Sequence, residues 1–142
     1  MKLYGPESRS SFGYWFAHWC AFQMVALLCG VWKPKYLLQD IEKPWLKLFV
    51  PYEKLKKWHR NHSDHHLEYL IRFGPEHFDY MGMLIDWDCG RFTKSNSPLR
   101  APEYYETIRE KLLSKINGDT SNPVYLDFLK VVPKLLQKYF NA

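Results

Sequence analysis

Apolar residues recur at intervals of three and four along most of the chain, the pattern of helices that bury one face. Period-two alternation is absent and valine is scarce, so the pattern predicts no strand. Prolines stand just before most of the apolar segments, in the first helical turn, where the missing N–H costs nothing. The pattern therefore predicts an all-α chain.

Six helical segments are predicted between these prolines. Gly30 and Gly74 are placed to end two of them, and Pro44 is expected to kink or split the second. The predicted segments are 11–29, 34–49, 51–73, 75–92, 102–116 and 122–140. We predict one domain over 1–142, a bundle of about six helices, with the motifs in 11–93 and packing helices in 101–142.

One apolar stretch, 11–32, contains no charged residue and is long enough to cross a bilayer. It nevertheless contains His18 and Gln23, and polar side chains are costly inside a membrane. We therefore predict a buried central helix and no membrane span. A membrane-associated protein anchored by this stretch is the weaker alternative.

Composition narrows the class of protein. The chain is 46% apolar and 25% charged, which excludes disorder, and its net charge of +5 favours anionic ligands such as phosphates. No zinc-finger spacing and no basic stripe with aromatic residues is present, so no specific nucleic-acid binding is predicted. Cys20, Cys29 and Cys89 form no CxxC pair, which favours a reducing, cytoplasmic compartment.

Four of the six histidines lie within eight residues: His59, His62, His65 and His66. On one continuous helix, His59, His62, His66 and Tyr69 would share a face, with His65 beside it. Imidazole is a common metal ligand, and histidines three or four positions apart can reach one ion. A structural, hydrogen-bonding role is the alternative, and the residues alone leave both open.

Two carboxylates lie in apolar surroundings, Asp40 in 37–41 and Asp86 in 83–87. A buried carboxylate is costly unless it is paired or bound to a metal. Asp40, Asp86 and the histidine segment therefore predict a metal site assembled from several helices.

The order of these residues along the chain is informative. His18 comes first, Leu38-Gln39-Asp40-Ile41-Glu42-Lys43 second, His59 and His62 third, His65-His66-Leu67-Glu68-Tyr69 fourth and Asp86-Trp87 last, followed by Gly90. This order resembles the signature of HD-type metal-dependent phosphohydrolases, and in particular a family of short HD-like proteins from phages and bacteria. The resemblance spans about 14–91.

The resemblance implies an HD-like fold and a phosphohydrolase acting on a nucleotide or another small phosphate ester. It implies one or two divalent cations (Mn, Co, Fe, Mg or Zn), with Asp40 orienting the water and His65 or His66 protonating the leaving oxygen or binding the phosphate. The implied metal ligands are His18, Asp40, His59, His62, His66 and Asp86, and the implied substrate-binding residues are Lys43, Arg60, Tyr69 and Arg91.

The chain departs from the family pattern at Gln39, which replaces the histidine of the His-Asp pair. An amide is a poor ligand for a transition metal. Three outcomes follow: His59, His62 or His65 replaces the lost ligand, the site is altered, or catalysis is lost. The last outcome would give a non-catalytic protein that binds a ligand or a protein partner. Whichever outcome holds, 101–142 is expected to close the bundle or to form an oligomer contact.

Overall fold

The protein is all-helical, as predicted. The structure, a computed structural model, describes residues 3–96 and 98–142, and these form seven α-helices and no strand. One isolated bridge joins Tyr4 and Lys94. The α-helices are α1 (Phe12–Leu28), α2 (Lys43–Leu46), α3 (Tyr52–His62), α4 (Leu67–Phe73), α5 (Tyr80–Cys89), α6 (Tyr105–Lys115) and α7 (Pro123–Phe140). Short 3-10 turns are Pro6–Ser8, Pro34–Leu38, Pro75–His77, Gly90–Phe92 and Ala101–Tyr104.

The first and last predicted helices are confirmed with their caps. The Ser11 hydroxyl accepts a hydrogen bond from the backbone of Tyr14 at the start of α1, and Gly30 follows the helix with a φ of 72°. Asn122 accepts from Val124 N at 2.9 Å at the start of α7. These caps satisfy N–H groups that have no partner within the helix.

The prediction of one helix over 51–73 is wrong. α3 ends at His62, Ser63 and His66 have extended backbone, and α4 begins at Leu67. The continuous face of His59, His62, His66 and Tyr69 therefore does not exist, because the chain turns between the second and the third of them.

Two other predicted helices are also interrupted. The segment 34–49 breaks at Asp40, which has a φ of 56°, and Pro44 lies in the first turn of α2 instead of marking the break. The segment 75–92 breaks before α5, where Asp79 is the N-cap and accepts from Gly82 N at 2.9 Å.

α5 lies at the centre of the molecule. It packs against α1, α7 and the Ala101–Tyr104 turn, and Met83, Leu84 and Ile85 are at most 1% exposed. Burying a side chain of this size contributes about 1.5–3 kcal/mol to folding. The ends of the central helix are thereby fixed relative to its neighbours.

α1 is buried along one side only. Ala21, Phe22 and Ala26 face the core, whereas Phe12 and Phe16 are exposed. Within the described residues, none of the helices combines the length and the apolar character needed to cross a bilayer.

Candidate metal centre

The predicted ligands from four separate parts of the chain meet at one cavity of about 130 Å³. α1 provides His18, the break before α2 provides Asp40, α3 provides His59 and α5 provides Asp86. His66, which precedes α4, lines the same cavity. The structure therefore brings together five of the six predicted metal ligands.

His18 connects the two aspartates. Its Nε2 donates to Asp86 Oδ1 at 2.9 Å and lies 3.9 Å from Asp40 Oδ2. Burial alone would raise the pKa of Asp86, but the adjacent His18 outweighs it and holds that pKa far below the ordinary value. Asp86 is therefore ionised and able to bind a cation.

Asp40 is the most enclosed acid of the site, with only 6% of its surface exposed. Lys43 Nζ donates to Asp40 Oδ2 at 3.2 Å, and His59 Nε2 lies 2.9 Å from Asp40 Oδ1. Burial would raise the pKa of Asp40, but Lys43 and His59 more than offset it and hold the pKa well below its usual range.

His59 lies between two carboxylates. Its Nδ1 contacts Glu42 Oε1, while its buried Nε2 has no aligned hydrogen-bond partner although it lies close to Asp40. Burial alone would lower the pKa of His59, but Asp40 and Glu42 raise it to about 9. At neutral pH His59 is therefore protonated, and its Nε2 and the Asp40 carboxylate are suited to bind one cation when that cation displaces the proton.

Gln39 has a defined role in this arrangement. Its Nε2 donates to Asp40 Oδ1 and to His65 Nε2, both at 3.1 Å. His65 therefore has its proton on Nδ1, which donates to Ser63 Oγ at 2.9 Å. The Gln39 amide is thus a bridge between Asp40 and His65.

His66 lies next to His65 and His59, with ring centroids 4.4 Å and 5.0 Å away. Burial lowers the pKa of His66 well below its ordinary value, and the neighbouring His65 lowers it further. His66 is therefore neutral at neutral pH, the state in which a ring nitrogen has an available lone pair.

Cationic side chains surround the small cavity. These residues are Arg9, Lys43, Lys56, Arg60 and Lys94. They come from the chain before α1, from α2, from α3 and from the loop after α5. The cavity therefore combines metal-ligand chemistry with a positive potential that favours phosphate.

A second cavity of about 450 Å³ adjoins the first. Arg60, His66, Asp86 and Lys94 line both cavities, so the two meet at these residues. The second cavity also has an apolar and aromatic part, and its lining includes Leu67, Met83, Trp87, Tyr104 and Ile108. The Tyr104 hydroxyl is buried without a hydrogen-bond partner.

Four predicted site residues lie outside the small cavity. One of them, His65, lines the adjoining larger cavity. His62 is exposed, stacks on Trp58 and contacts its carbonyl oxygen. Tyr69 lines a neighbouring cavity of about 370 Å³ that also contains His62. Arg91 is 3.5 Å from Asp88 and covers the ring of Phe92. His62, predicted as a metal ligand, and Tyr69 and Arg91, predicted as substrate-binding residues, therefore do not line the small cavity, although the cavity with Tyr69 and His62 also includes Asp40 and His59.

Sequence reasoning missed several residues of the site. Glu42 contacts His59, and the Cys89 thiol lies 3.8 Å from His18 Nδ1. Arg9 and Lys94 line the small cavity. Glu42 and Cys89 lie within three residues of the predicted aspartates, which is a usable signal, but no pattern in the sequence points to Arg9 or Lys94.

Several groups of side chains could hold a metal ion. Three sets have ligand atoms within 4.8 Å of one another: His59, His65 and His66; His18, Asp86 and Cys89; and Asp40, Glu42 and His59. Neutral imidazole and carboxylate suit Zn²⁺, Mn²⁺, Co²⁺ or Fe²⁺. Each of the three sets therefore offers side chains that suit a divalent cation.

Comparison of the chain with protein-family models, curated proteins and solved structures found no match.

Proposed function

We propose that this protein is a metal-dependent phosphohydrolase of the HD type, located in the cytoplasm, acting on a nucleotide or another small phosphate ester. The observation that supports it is the small cavity, where metal-ligand side chains from several chain segments and five cationic side chains line the same space. The order of His18, Asp40 and Asp86 along the chain, which resembles the HD signature, supports the same proposal.

The cation would be held by His18, Asp40, His59 and Asp86. His59 takes the place of the family histidine that Gln39 replaces, since its buried Nε2 lies 2.9 Å from Asp40 Oδ1. When bound, a divalent cation supplies a more acidic water and polarises a phosphoryl oxygen.

The remaining side chains of the small cavity bind and orient the phosphate. Arg9, Arg60 and Lys94 neutralise its oxygens, because guanidinium and ammonium groups donate charge-assisted hydrogen bonds to phosphate. Lys43 holds Asp40 ionised and in place.

His66 is positioned to act on the leaving group. It lines both the small cavity, where the phosphate would lie, and the larger one, where the organic part of the ester would lie. A side chain at that junction can transfer a proton to the leaving oxygen. The buried Tyr104 hydroxyl and Trp87 offer contacts to the organic part.

Metal analysis and an activity screen test the proposal. The purified protein should retain a divalent metal and hydrolyse phosphomonoesters in a screen with manganese, cobalt and magnesium. Asp40→Ala should lose both properties, because it removes the central carboxylate. Asp119→Ala, which removes an exposed acid in the loop before α7, is the matched control and should keep both.

A specific observation favours a second function, a non-catalytic binder of phosphorylated ligands. Gln39 bridges Asp40 and His65, and Lys43 already neutralises Asp40 without any ion. On this alternative the protein holds no metal and shows no turnover, yet binds a phosphorylated compound in a calorimetric titration. That combination of results would replace the first proposal by the second.

A further inference from the structure

Large apolar side chains are unevenly distributed over the surface. Eleven of the sixteen exposed ones among the described residues lie within 12–49. Eight of these lie in the first turns of α1 and in the chain from Leu37 to Phe49, and they are between 42% and 83% exposed. We name this set the apolar face: Phe12, Phe16, Leu37, Leu38, Ile41, Trp45, Leu48 and Phe49.

Hydrogen bonds and ring contacts make the apolar face continuous. Phe16 stacks on Trp19, and Trp19 Nε1 donates to Leu37 O at 3.0 Å, which places Leu37 beside the aromatic row of α1. Trp15 Nε1 likewise donates to Asp40 O at 2.7 Å, next to Ile41.

The far end of the apolar face is attached to the start of α1. Lys47 Nζ donates to Ser10 O, so the segment that contains Trp45, Leu48 and Phe49 lies near Phe12. A single apolar side chain on a surface is ordinary, but a contiguous patch of this kind marks an interaction site.

The charges around the face have one dominant sign. Within 12–49 the only acids are Asp40 and Glu42, and both contact His59 inside the site. The cations Lys33, Lys35 and Lys47 remain at the surface of this segment. Lys33 and Lys35 share Asp79, and Lys35 also pairs with Asp64, so Lys47 is the cation of this segment without an acidic partner among the described residues. α3 follows directly and adds exposed Lys54 and Lys57 against one acid, Glu53.

We propose that the apolar face binds the surface of a bilayer that contains anionic lipids. Tryptophan and phenylalanine side chains insert at the headgroup level, and lysines beside them attract anionic headgroups. A protein partner would be expected to meet a rim of mixed charge, whereas this rim is mainly cationic. The proposal does not depend on the phosphohydrolase activity, and it takes up the weaker alternative of membrane association, as contact with the bilayer surface and not as a span.

Sedimentation with lipid vesicles tests the proposal on the full chain. The protein should sediment with vesicles of phosphatidylcholine and phosphatidylglycerol, and much less with phosphatidylcholine alone. Trp45→Ser with Phe49→Ser should reduce binding about tenfold, since binding scales with the apolar area inserted. Leu99→Ser with Leu126→Ser removes two exposed leucines outside the face and should leave binding unchanged.

A charge variant separates the electrostatic contribution to vesicle binding from the contribution of the inserted apolar side chains. Lys47→Gln with Lys54→Gln and Lys57→Gln should lower binding to the anionic vesicles by about tenfold or more, with little effect on phosphatidylcholine. Circular dichroism of each variant checks that the helices are intact.

Three outcomes would overturn the proposal. The first is absence of sedimentation with anionic vesicles at low salt. The second is an equal loss in the Leu99 and Leu126 control. The third is a stable dimer in light scattering that Trp45→Ser with Phe49→Ser dissociates while vesicle binding is absent, which would assign the face to a second copy of the chain.

Discussion

The C-terminal helices α6 and α7 and the region around the small cavity differ in how regular their helices are and in what they bury. In α7, Tyr125, Phe128, Val132 and Leu136 follow helical spacing and are all buried. In the chain from Asp40 to Asp79, the helices are short and the buried residues include Asp40, His59 and His65. A regular helix suffices where only apolar packing is needed, whereas gathering polar side chains from several segments requires breaks.

The breaks around the cavity have local physical causes. Asp40 has a positive φ, a conformation that aspartate tolerates better than most residues because its short side chain can hydrogen-bond locally. Between α3 and α4, Asp64 O accepts from Asp79 N at 2.8 Å, and Lys35 pairs with both carboxylates. These contacts compensate for the helical hydrogen bonds that the turn gives up.

The largest expected effect is a loss of stability from a substitution in the contact between α6 and α7. Phe128→Ala should lower the free energy of unfolding by about 3–5 kcal/mol, because the ring is fully buried and stacks on Tyr105. Leu126→Ala, two residues away and 52% exposed, should cost less than about 1 kcal/mol. Urea unfolding measures both, and equal losses would contradict the assigned packing.

The next largest expected effect is a difference in metal affinity between variants of His59 and His62, two histidines of α3. His59→Gln should weaken Mn²⁺ binding by at least about a hundredfold, since even residues that only orient a ligand contribute ten- to a hundredfold. His62→Gln is the control, because that ring stacks on Trp58 outside the small cavity. Isothermal titration calorimetry gives both affinities. A similar loss in the two variants would remove the argument for His59 as a ligand.

Gln39→His tests metal binding at the same site by adding a nitrogen ligand instead of removing one. The Gln39 Nε2 lies 3.1 Å from both Asp40 Oδ1 and His65 Nε2, so an imidazole there would place a histidine directly before Asp40 at the site. We expect Mn²⁺ affinity to rise about tenfold from one added nitrogen ligand. Unchanged affinity in the same titration would mean that position 39 does not face the cation.

The smallest effect compares two helix caps. Asn122→Ala should destabilise the protein by about 1 kcal/mol, the usual contribution of a capping side chain. Asp79→Ala should cost more, because Asp79 caps α5 and also binds Tyr36 and Lys35. Thermal unfolding orders the two variants, and a greater loss for Asn122→Ala would contradict the idea that caps near the cavity have additional roles.

Sequence patterns predicted α1 and α7 well because their caps and apolar spacing act locally. They failed at 51–73, where the periodicity continues through Ser63 although the helix does not. The geometric argument that grouped His59, His62 and His66 was therefore wrong, although His59 and His66 do line the small cavity. Arg9 and Lys94 were missed because no residue near them in the chain indicates that they line the small cavity.

The sequence by itself determined that the chain is helical, where its first and last helices lie, and that His18, Asp40 and Asp86 require a common explanation. Those conclusions rest on spacing and on the cost of burying a charge, which are properties of short segments. Only the tertiary structure decided which histidines meet the aspartates, how Gln39 is used and where cations surround the cavity. The contact between His18 and Asp86 joins residues 68 positions apart, and periodicity along one helix contains no information about such contacts.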